Sequence, residues 1–249
     1  MAKKSSRKRK KASTSSHRAS RPTTQSTSKS SQRWIFWGLI GLGVILVLGL
    51  AVLGYMSTQE SKIPAQERTS VHEEIGQPVE GRAIGDPNAP VLVETYEDFL
   101  CPHCAAFTSG VGPELMNLVK EGKVRWEFKY RVIFGADAYN ADMAAECAAD
   151  QNKFWEYHDA LFQRITADGK IAVLPKNLKS LAQELGLDMD EFNTCFDTRK
   201  HLKTIQKEDQ LAAARGVQGT PTIFINGQRY QGSFDAESFR AAVEAAIQQ

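Results

Sequence analysis

Hydrophobic and polar positions divide the chain into four stretches with different patterns. Residues 1–33 contain no valine, leucine or isoleucine and cannot bury a core, so we predict a disordered tail. Residues 34–56 form an apolar run without a charge, and residues 57–76 are polar, as in a linker. From there on, apolar positions recur with strand and helix periods. A folded domain is therefore expected over residues 77–249.

Within this domain the pattern changes between strand and helix several times. β-Branched and alternating apolar residues predict strands over 91–93, 123–132 and 222–225, and helical spacing predicts helices over 105–119, throughout 139–215 and over 236–247. Asp188 is expected to cap a helix inside the long helical stretch. Asn226-Gly227 predicts a tight hairpin after the last strand. This order indicates an α/β fold with an inserted helical domain of about residues 139–215.

The apolar run at 34–56 is long enough to span a membrane. Its residues, at ~1.5 Å each, exceed a hydrocarbon core of roughly 30 Å. Trp34, Trp37 and Tyr55 lie at its ends, where interfacial aromatic residues are found. The alternative is a cleaved signal peptide, which has a shorter apolar region and a small-residue cleavage site. We therefore predict one retained transmembrane helix.

The net charge of +2 over 249 residues conceals a strong asymmetry. Residues 1–33 carry eleven lysines and arginines and no acidic residue, so the rest of the chain carries −9. Because positive residues remain on the cytoplasmic side of a membrane span, the tail is placed in the cytoplasm and the domain outside it. We interpret the basic tail as a topology signal, with weaker attraction to anionic lipids, and not as a nucleic-acid site.

Candidate chemistry centres on the sequence Cys101-Pro102-His103-Cys104, which follows a strand pattern and opens a helical one. This placement puts the first sulfur at a helix N-terminus, where free N–H groups favour a thiolate. The second cysteine, one turn later, is placed to resolve a mixed disulfide. His103 would add partial positive charge beside the Cys101 thiolate, the alternative being an exposed surface histidine.

The other two cysteines, Cys147 and Cys195, lie in the helical insertion. On an oxidising side of the membrane we expect them to form a structural disulfide, although buried thiols or a pair that exchanges with the active site are alternatives. A metal site is not expected. Structural zinc usually takes four ligands from two closely spaced pairs, and Cys147 and Cys195 with one of His72, His103, His158 or His201 would make only an irregular site.

Three features resemble the DsbA-like branch of the thioredoxin superfamily, in particular its membrane-anchored thiol-disulfide oxidoreductases. They are the run IGDPNAPVLVETYEDFLCPHC, the helical insertion, and Gly219-Thr220-Pro221-Thr222 before the last strand. The resemblance covers about residues 80–249. It implies a thioredoxin-like fold.

The resemblance also implies a role for each motif residue. Cys101 is the nucleophile, Cys104 the resolving thiol, and Thr220-Pro221 a loop with a cis proline that faces the active site. A proline just before a strand cannot donate a ladder hydrogen bond, which would leave the Thr220 backbone free to pair with an extended substrate. An ordinary trans proline at the strand entry is the alternative.

One position departs from the family pattern. Members often carry a buried acid six positions before the first cysteine, as a proton acceptor for the resolving thiol, and here that position is Thr95. Glu94 lies on the opposite face of the strand, whereas Glu97 shares the parity of Thr95 and could substitute for the acid. A solvent-exposed Glu97 is the alternative.

The sequence thus predicts an extracytoplasmic, single-pass thiol-disulfide oxidoreductase of the cell membrane that oxidises cysteine pairs in secreted proteins. Its redox group is the Cys101–Cys104 disulfide, and no other cofactor is expected. The resemblance implies reoxidation by a quinone-linked membrane protein. The alternatives are a reductase or isomerase of the same fold, and a noncatalytic binding or copper-handling module in which the cysteines hold a metal or a partner.

Overall fold

The computed structural model describes residues 48–49 and 75–249. The chain divides into two units, residues 1–62 and 63–249, and residues 75–249 belong to the second. Apart from Leu48 and Gly49, which are helical, and the last two linker residues, the predicted tail, transmembrane helix and linker lie outside the described residues. Among the described residues, none of the helices has the length and hydropathy that crossing a bilayer requires.

A six-stranded mixed sheet forms the centre of residues 75–249. Its strands are β1 (Val79–Glu80), β2 (Ala83–Ile84), β3 (Val91–Glu97), β4 (Val124–Tyr130), β5 (Thr222–Ile225) and β6 (Gln228–Arg229). Their order across the sheet is β1-β2-β4-β3-β5-β6. Central strand β3 pairs parallel to β4 and antiparallel to β5. The predicted α/β class is confirmed, and the sheet brings the end of β3 beside the start of β5.

Helices flank this sheet and fill the insertion between β4 and β5. They are α1 (Pro102–Gly110), α2 (Gly112–Lys120), α3 (Ala136–Ala149), α4 (Phe154–Asp168), α5 (Pro175–Glu184), α6 (Met189–Asp197), α7 (Leu202–Ala214) and α8 (Ala236–Ile247), with a 3-10 helix at Gly169–Val173. The Asp188 carboxylate accepts hydrogen bonds from two N–H groups at the start of α6, which confirms the predicted cap. The C-terminal helix has the predicted bounds.

Two local predictions differ from the structure. The single helix expected over 105–119 is broken at Val111 into α1 and α2, because Pro113 in the first turn of α2 lacks the N–H that would continue the helix. The turn-rich stretch before β3 forms the short strands β1 and β2, which extend the sheet beyond β4. Two-residue strands are too short to show the alternation of apolar and polar residues from which a strand is predicted.

The insertion and the sheet share one core of aromatic residues. Phe99 follows β3, Phe128 lies on β4, and Phe162 and His158 lie on α4; all four are buried. Ring centroids of Phe99 and Phe162 are 4.9 Å apart, and those of Phe128 and His158 are 5.3 Å apart. This packing agrees with the core role that the helical spacing indicates for Phe154, Trp155 and His158, and it places α4 over the end of β3.

Candidate active site

Cys101 lies at the N-terminus of α1, where it is the capping residue and Pro102 occupies the first turn. Its backbone oxygen accepts hydrogen bonds from the N–H groups of Cys104 and Ala105 at 3.1 and 3.2 Å. The N–H groups of His103 and Cys104 also act on the Cys101 sulfur. This is the placement that the sequence predicts.

The surroundings of Cys101 stabilise its thiolate. A hydrogen bond from the Cys104 thiol is the main cause that lowers the Cys101 pKa to about 5; burial opposes it, while Thr220 and the N–H groups of Cys104 and His103 add to it. The His103 ring is exposed, so the contribution of this residue comes from its backbone. A thiol with this pKa is mostly ionised at neutral pH and is a good leaving group.

The pKa of Cys104 is shifted in the opposite direction. Its side chain is fully buried, and burial is the main cause that raises the Cys104 pKa well above its usual range, with Cys101 and Glu97 adding to the shift. Cys101 and Cys104 are both free thiols in this structure. The pair therefore consists of one reactive thiolate beside one protonated thiol, one helical turn away.

The Thr220-Pro221 loop lies against the reactive sulfur. The peptide bond between the two residues is cis. The Cys101 sulfur lies 3.2 Å from the Thr220 carbonyl oxygen, to which its protonated form donates a hydrogen bond. Thr222 fixes the loop from the strand side by donating its hydroxyl to the Gly219 carbonyl at 2.7 Å. This arrangement agrees with the position that the resemblance implies for the loop.

Asp98 holds the active-site loop in place, a role that the sequence analysis did not identify. One carboxylate oxygen accepts the Leu100 N–H at 2.8 Å, and the other accepts the N–H groups of Ile133 and Phe134 at 2.7 and 2.9 Å. The turn before Cys101 is thereby tied to the segment that follows β4. In turns, an Asp side chain commonly accepts a hydrogen bond from the N–H two residues later. The contact between Asp98 and Leu100 could therefore be predicted from the sequence.

Glu97 is buried, so the alternative of a solvent-exposed Glu97 is wrong. Its side chain is inaccessible to solvent, and within residues 75–249 neither carboxylate oxygen has a hydrogen-bond partner. Burial is the main cause that raises the Glu97 pKa to about 7, against the opposing effects of His158 and Thr95. The carboxyl acts electrostatically on Cys104 and raises its pKa.

The neighbouring acidic and hydroxyl positions are engaged elsewhere. Thr95 is buried, and its hydroxyl accepts a hydrogen bond from the Trp126 indole at 2.9 Å. Glu94, on the opposite face of β3, pairs with Arg215 at 2.8 Å. Of these three residues of β3, Glu97 is the one among the leading influences on the Cys104 pKa.

We expect Glu97 to make the stability of the reduced chain depend on pH. Because the folded-state pKa is about 7 and the unfolded value 4.5, the contribution of Glu97 is fully present below pH 4.5 and is lost as the pH rises through 7. The expected loss in the free energy of unfolding is about 3 kcal/mol. The Cys101 thiolate, whose pKa is lowered to about 5, makes stability rise over part of the same range. The quantity to measure is therefore the free energy of unfolding of the native chain minus that of Glu97→Gln, from urea unfolding between pH 4 and 8, and this difference should fall by that amount.

The matched control for this prediction is Glu94→Gln, which neutralises a carboxylate on the other face of the same strand. Its free energy of unfolding should follow the same pH dependence as that of the native chain between pH 4.5 and 7. An equal pH dependence in the native chain and in Glu97→Gln would show that Glu97 is not the titrating group.

Cys147 on α3 and Cys195 on α6 are joined by a disulfide, with Cα atoms 5.8 Å apart. In the described part of the chain, Cys195 also lies in a group of potential metal ligands with Asp150 and His201. Its sulfur is engaged in the disulfide, however, and Asp150 is paired with Lys200 at 2.8 Å and with His201 at 2.9 Å. A metal ligand needs a free thiolate, so this group does not fit a cation while the disulfide is intact.

A groove of about 1030 Å³ opens beside the active site, between α1 and α2 on one side and α4 on the other. Cys101 and Pro102 lie at its active-site end. Its walls are mostly apolar, with Met116 from α2 and Phe162 from α4, while Asp159 contributes a carboxylate. The reacting sulfur is thus reached through a groove that can hold apolar side chains.

Sequence comparisons place this domain among known proteins. The family model described as Thioredoxin matches residues 77–245. Na(+)/H(+) antiporter NhaA 1 of Salinispora arenicola is 34% identical over 165 residues, which cover 66% of this chain and 24% of the antiporter. The chain therefore spans about a quarter of the length of such antiporter relatives. Disulfide bond formation protein D of Bacillus subtilis is 26% identical over 176 residues, covering 69% of this chain and 78% of that protein.

Solved structures give the same fold. BdbD from Bacillus subtilis in its oxidised form superposes with a TM-score of 0.63 at 24% identity and covers 70% of this chain and 97% of its own. Oxidised DsbA from Mycobacterium tuberculosis has a TM-score of 0.55 at 28% identity and covers 70% of this chain and 92% of its own. With its sheet order, its helical insertion and the match over residues 77–245, the chain belongs to the thioredoxin family.

Proposed function

We propose that the chain is a membrane-anchored thiol-disulfide oxidoreductase that oxidises cysteine pairs in secreted proteins outside the cytoplasm. The observation that carries the proposal is the opposite tuning of two thiols within one helical turn. The Cys101 pKa is lowered to about 5, and the Cys104 pKa is raised well above its usual range. Stabilising the Cys101 thiolate stabilises the reduced protein, which makes the disulfide form a stronger oxidant.

The reaction follows from this difference between the thiols. A substrate thiolate attacks the Cys101 sulfur of the Cys101–Cys104 disulfide and forms a mixed disulfide, and Cys104 leaves with the electron pair and takes up a proton. A second substrate thiolate then attacks the substrate sulfur and releases Cys101 as a thiolate. The redox equivalents stay on these two sulfurs, so no further cofactor is required.

Two surfaces are suited to hold the substrate during exchange. The Thr220-Pro221 loop contacts the Cys101 sulfur and presents backbone that an extended segment can pair with. The apolar groove beside Cys101 and Pro102 can receive apolar side chains, which an incompletely folded protein exposes. Together they favour a polypeptide substrate over a small thiol.

Other observations support the proposed location of the domain and its proposed reoxidation partner. The basic tail and the apolar run over residues 34–56 favour an anchor with the domain outside the cytoplasm, and a Cys147–Cys195 disulfide persists best in an oxidising compartment. The name of the Bacillus subtilis relative, disulfide bond formation protein D, supports the oxidising direction. Family likeness suggests a quinone-linked membrane protein as the reoxidant.

The direction of exchange can be tested by equilibrating the full-length chain with mixtures of reduced and oxidised glutathione. We expect a potential near that of a strong oxidant, about −120 mV, and not near the thioredoxin value of about −270 mV. The fraction of reduced Cys101 and Cys104 is read by alkylation and mass spectrometry. Cys147 and Cys195 should remain unalkylated throughout and serve as the internal control.

Each alternative function predicts a different result in this experiment. A potential close to that of thioredoxin would assign the chain as a reductase or isomerase and would overturn the oxidising direction. A binding or metal-handling module would show no transfer of its disulfide to a dithiol peptide at any glutathione ratio.

A further inference from the structure

His158 is a buried polar residue for which disulfide exchange at Cys101 and Cys104 has no evident use. It lies on α4, is inaccessible to solvent, and packs among the rings of Phe99, Phe128 and Phe162. Its Nε2 atom has no hydrogen-bond partner within the described residues. An unpaired buried nitrogen costs free energy that a phenylalanine at the same site would not cost. Packing in the core alone therefore does not explain a histidine at this position.

One side of the His158 ring is connected to solvent. Its Nδ1 atom lies 2.8 Å from a carboxylate oxygen of Asp159, whose side chain is 55% exposed and lines the groove. A carboxylate oxygen accepts a proton from Nδ1, which leaves Nε2 for proton exchange inside the core. The ring therefore has one nitrogen in the core without a partner among the described residues and the other beside a solvent-exposed acid.

The other side of the ring belongs to the environment of Glu97. His158 and Asp159 both act electrostatically on the Glu97 carboxyl, and Glu97 in turn acts on Cys104. Neither Glu97 oxygen nor His158 Nε2 has a hydrogen-bond partner among residues 75–249. A buried carboxyl and a buried imidazole that lie close together can exchange a proton directly or through one water molecule.

Two further titratable groups lie in this region. Cys101 acts on Glu97 from the start of α1, and Lys170 of the 3-10 helix lines the same groove as Asp159. Strand β4 contributes the rings of Trp126 and Phe128, which carry no charge. The connected acid and base groups are thus Cys104, Glu97, His158 and Asp159, in that order from the core to the groove.

We propose that His158 and Asp159 are positioning residues that carry protons between buried Glu97 and solvent in the groove, and so let Cys104 gain or lose its proton. This inference rests on the proposed function. When substrate thiolate attacks Cys101, the sulfur–sulfur bond breaks and Cys104 receives the electron pair. Cys104 takes a proton from Glu97, Glu97 takes one from Nε2 of His158, and Nδ1 of the ring takes one from solvent at Asp159.

The charges and electrons of the full cycle balance. Two substrate thiols become one disulfide, the protein disulfide becomes a Cys101 thiolate and a Cys104 thiol, and one proton is released to solvent. In the reverse direction, Cys104 must lose its proton before it can attack a mixed disulfide on Cys101. Measuring the rate of this reverse step therefore tests the proton relay separately from the rest of the cycle.

The test uses the reduced full-length chain with excess oxidised glutathione. The Cys101 thiolate first forms a mixed disulfide with glutathione, and Cys104 then displaces the glutathione. Acid quenching and mass spectrometry follow both species over time between pH 5 and 9. We expect Asp159→Asn to slow the second step at least about tenfold at pH 7, a modest loss for general acid-base catalysis, and to leave the first step within about twofold.

Companion variants separate a proton path from a structural effect. Asp168→Asn makes the same change in charge on α4 without lining the groove and should behave as the native chain. Asp159→Glu should restore the rate. His158→Phe, which keeps the aromatic packing, should match Asp159→Asn in rate and in pH profile. In a Glu97→Gln background, Asp159→Asn should have no additional effect.

The outcomes distinguish the relay from the proposed function. A native chain that never closes the Cys101–Cys104 disulfide with oxidised glutathione would overturn the function itself. A native chain that closes it at the same rate and with the same pH profile as Asp159→Asn would overturn the relay alone. An equal slowing of both steps in Asp159→Asn would also overturn the relay, since the first step needs no proton from Cys104.

Discussion

Replacing Cys101 with serine is expected to abolish oxidation of a dithiol peptide, with a loss of more than about 10³-fold, the order seen when an enzyme nucleophile is removed. The reason is that Cys101 is the thiol whose pKa is lowered to about 5, whereas Cys104 is fully buried and stays protonated. No other free thiol occurs in the described residues to replace it. The rate is measured by alkylation of the remaining peptide thiols.

Cys104→Ser is the matched control for this prediction. It keeps the Cys101 thiolate but removes the resolving thiol, so a mixed disulfide offered through an activated peptide should form on Cys101 and persist. Cys101→Ser should form no such adduct. Rapid adduct formation in Cys101→Ser would show that Cys104 is accessible and would contradict the assignment of the two roles.

The second large effect is expected from the disulfide in the insertion. Replacing both Cys147 and Cys195 with alanine should lower the free energy of unfolding by about 4 kcal/mol, because the bridge closes a loop with a sequence separation of 48 and restricts the unfolded chain. Urea unfolding monitored by tryptophan fluorescence measures the change. The dithiol-peptide rate of the folded variant should stay within about twofold of the native rate, since both cysteines belong to the insertion.

The reference protein for this comparison is Cys101→Ser/Cys104→Ser, which keeps the Cys147–Cys195 bridge. Its free energy of unfolding should change far less than that of the double alanine variant. A collapse of the exchange rate in the folded Cys147→Ala/Cys195→Ala protein would instead favour the alternative in which this pair exchanges with the active site.

Those parts of the fold that depend on local chemistry could be predicted from the sequence. The strand over 222–225, the Asn226-Gly227 hairpin, the Asp188 cap and the last helix each rest on residues that are adjacent in the chain. The break at Val111 was missed because a proline near position 113 is tolerated at the start of a new helix as readily as it ends an old one. Sequence spacing alone does not separate these outcomes.

The chemistry of the site, too, could be predicted from the sequence only in part. The sequence shows that Glu97 shares a strand face with Thr95, but not that a helix sixty residues later covers that face. Burial is what raises the Glu97 pKa, and its oxygens have no hydrogen-bond partner among the described residues. His158 was placed in the core from its spacing, and that spacing could not reveal an unpaired nitrogen inside the core or an exposed carboxylate beside it.

The edges of the sheet bear on how such a protein survives its own substrates. Strands β1 and β6, at the two edges, are two residues long. A long bare edge offers unpaired N–H and C=O groups that template strand addition and aggregation. Under the proposed function, this domain repeatedly meets chains that have not yet folded. Short edge strands limit strand pairing with these unfolded chains. A substrate is then held mainly by the mixed disulfide, which each turnover breaks.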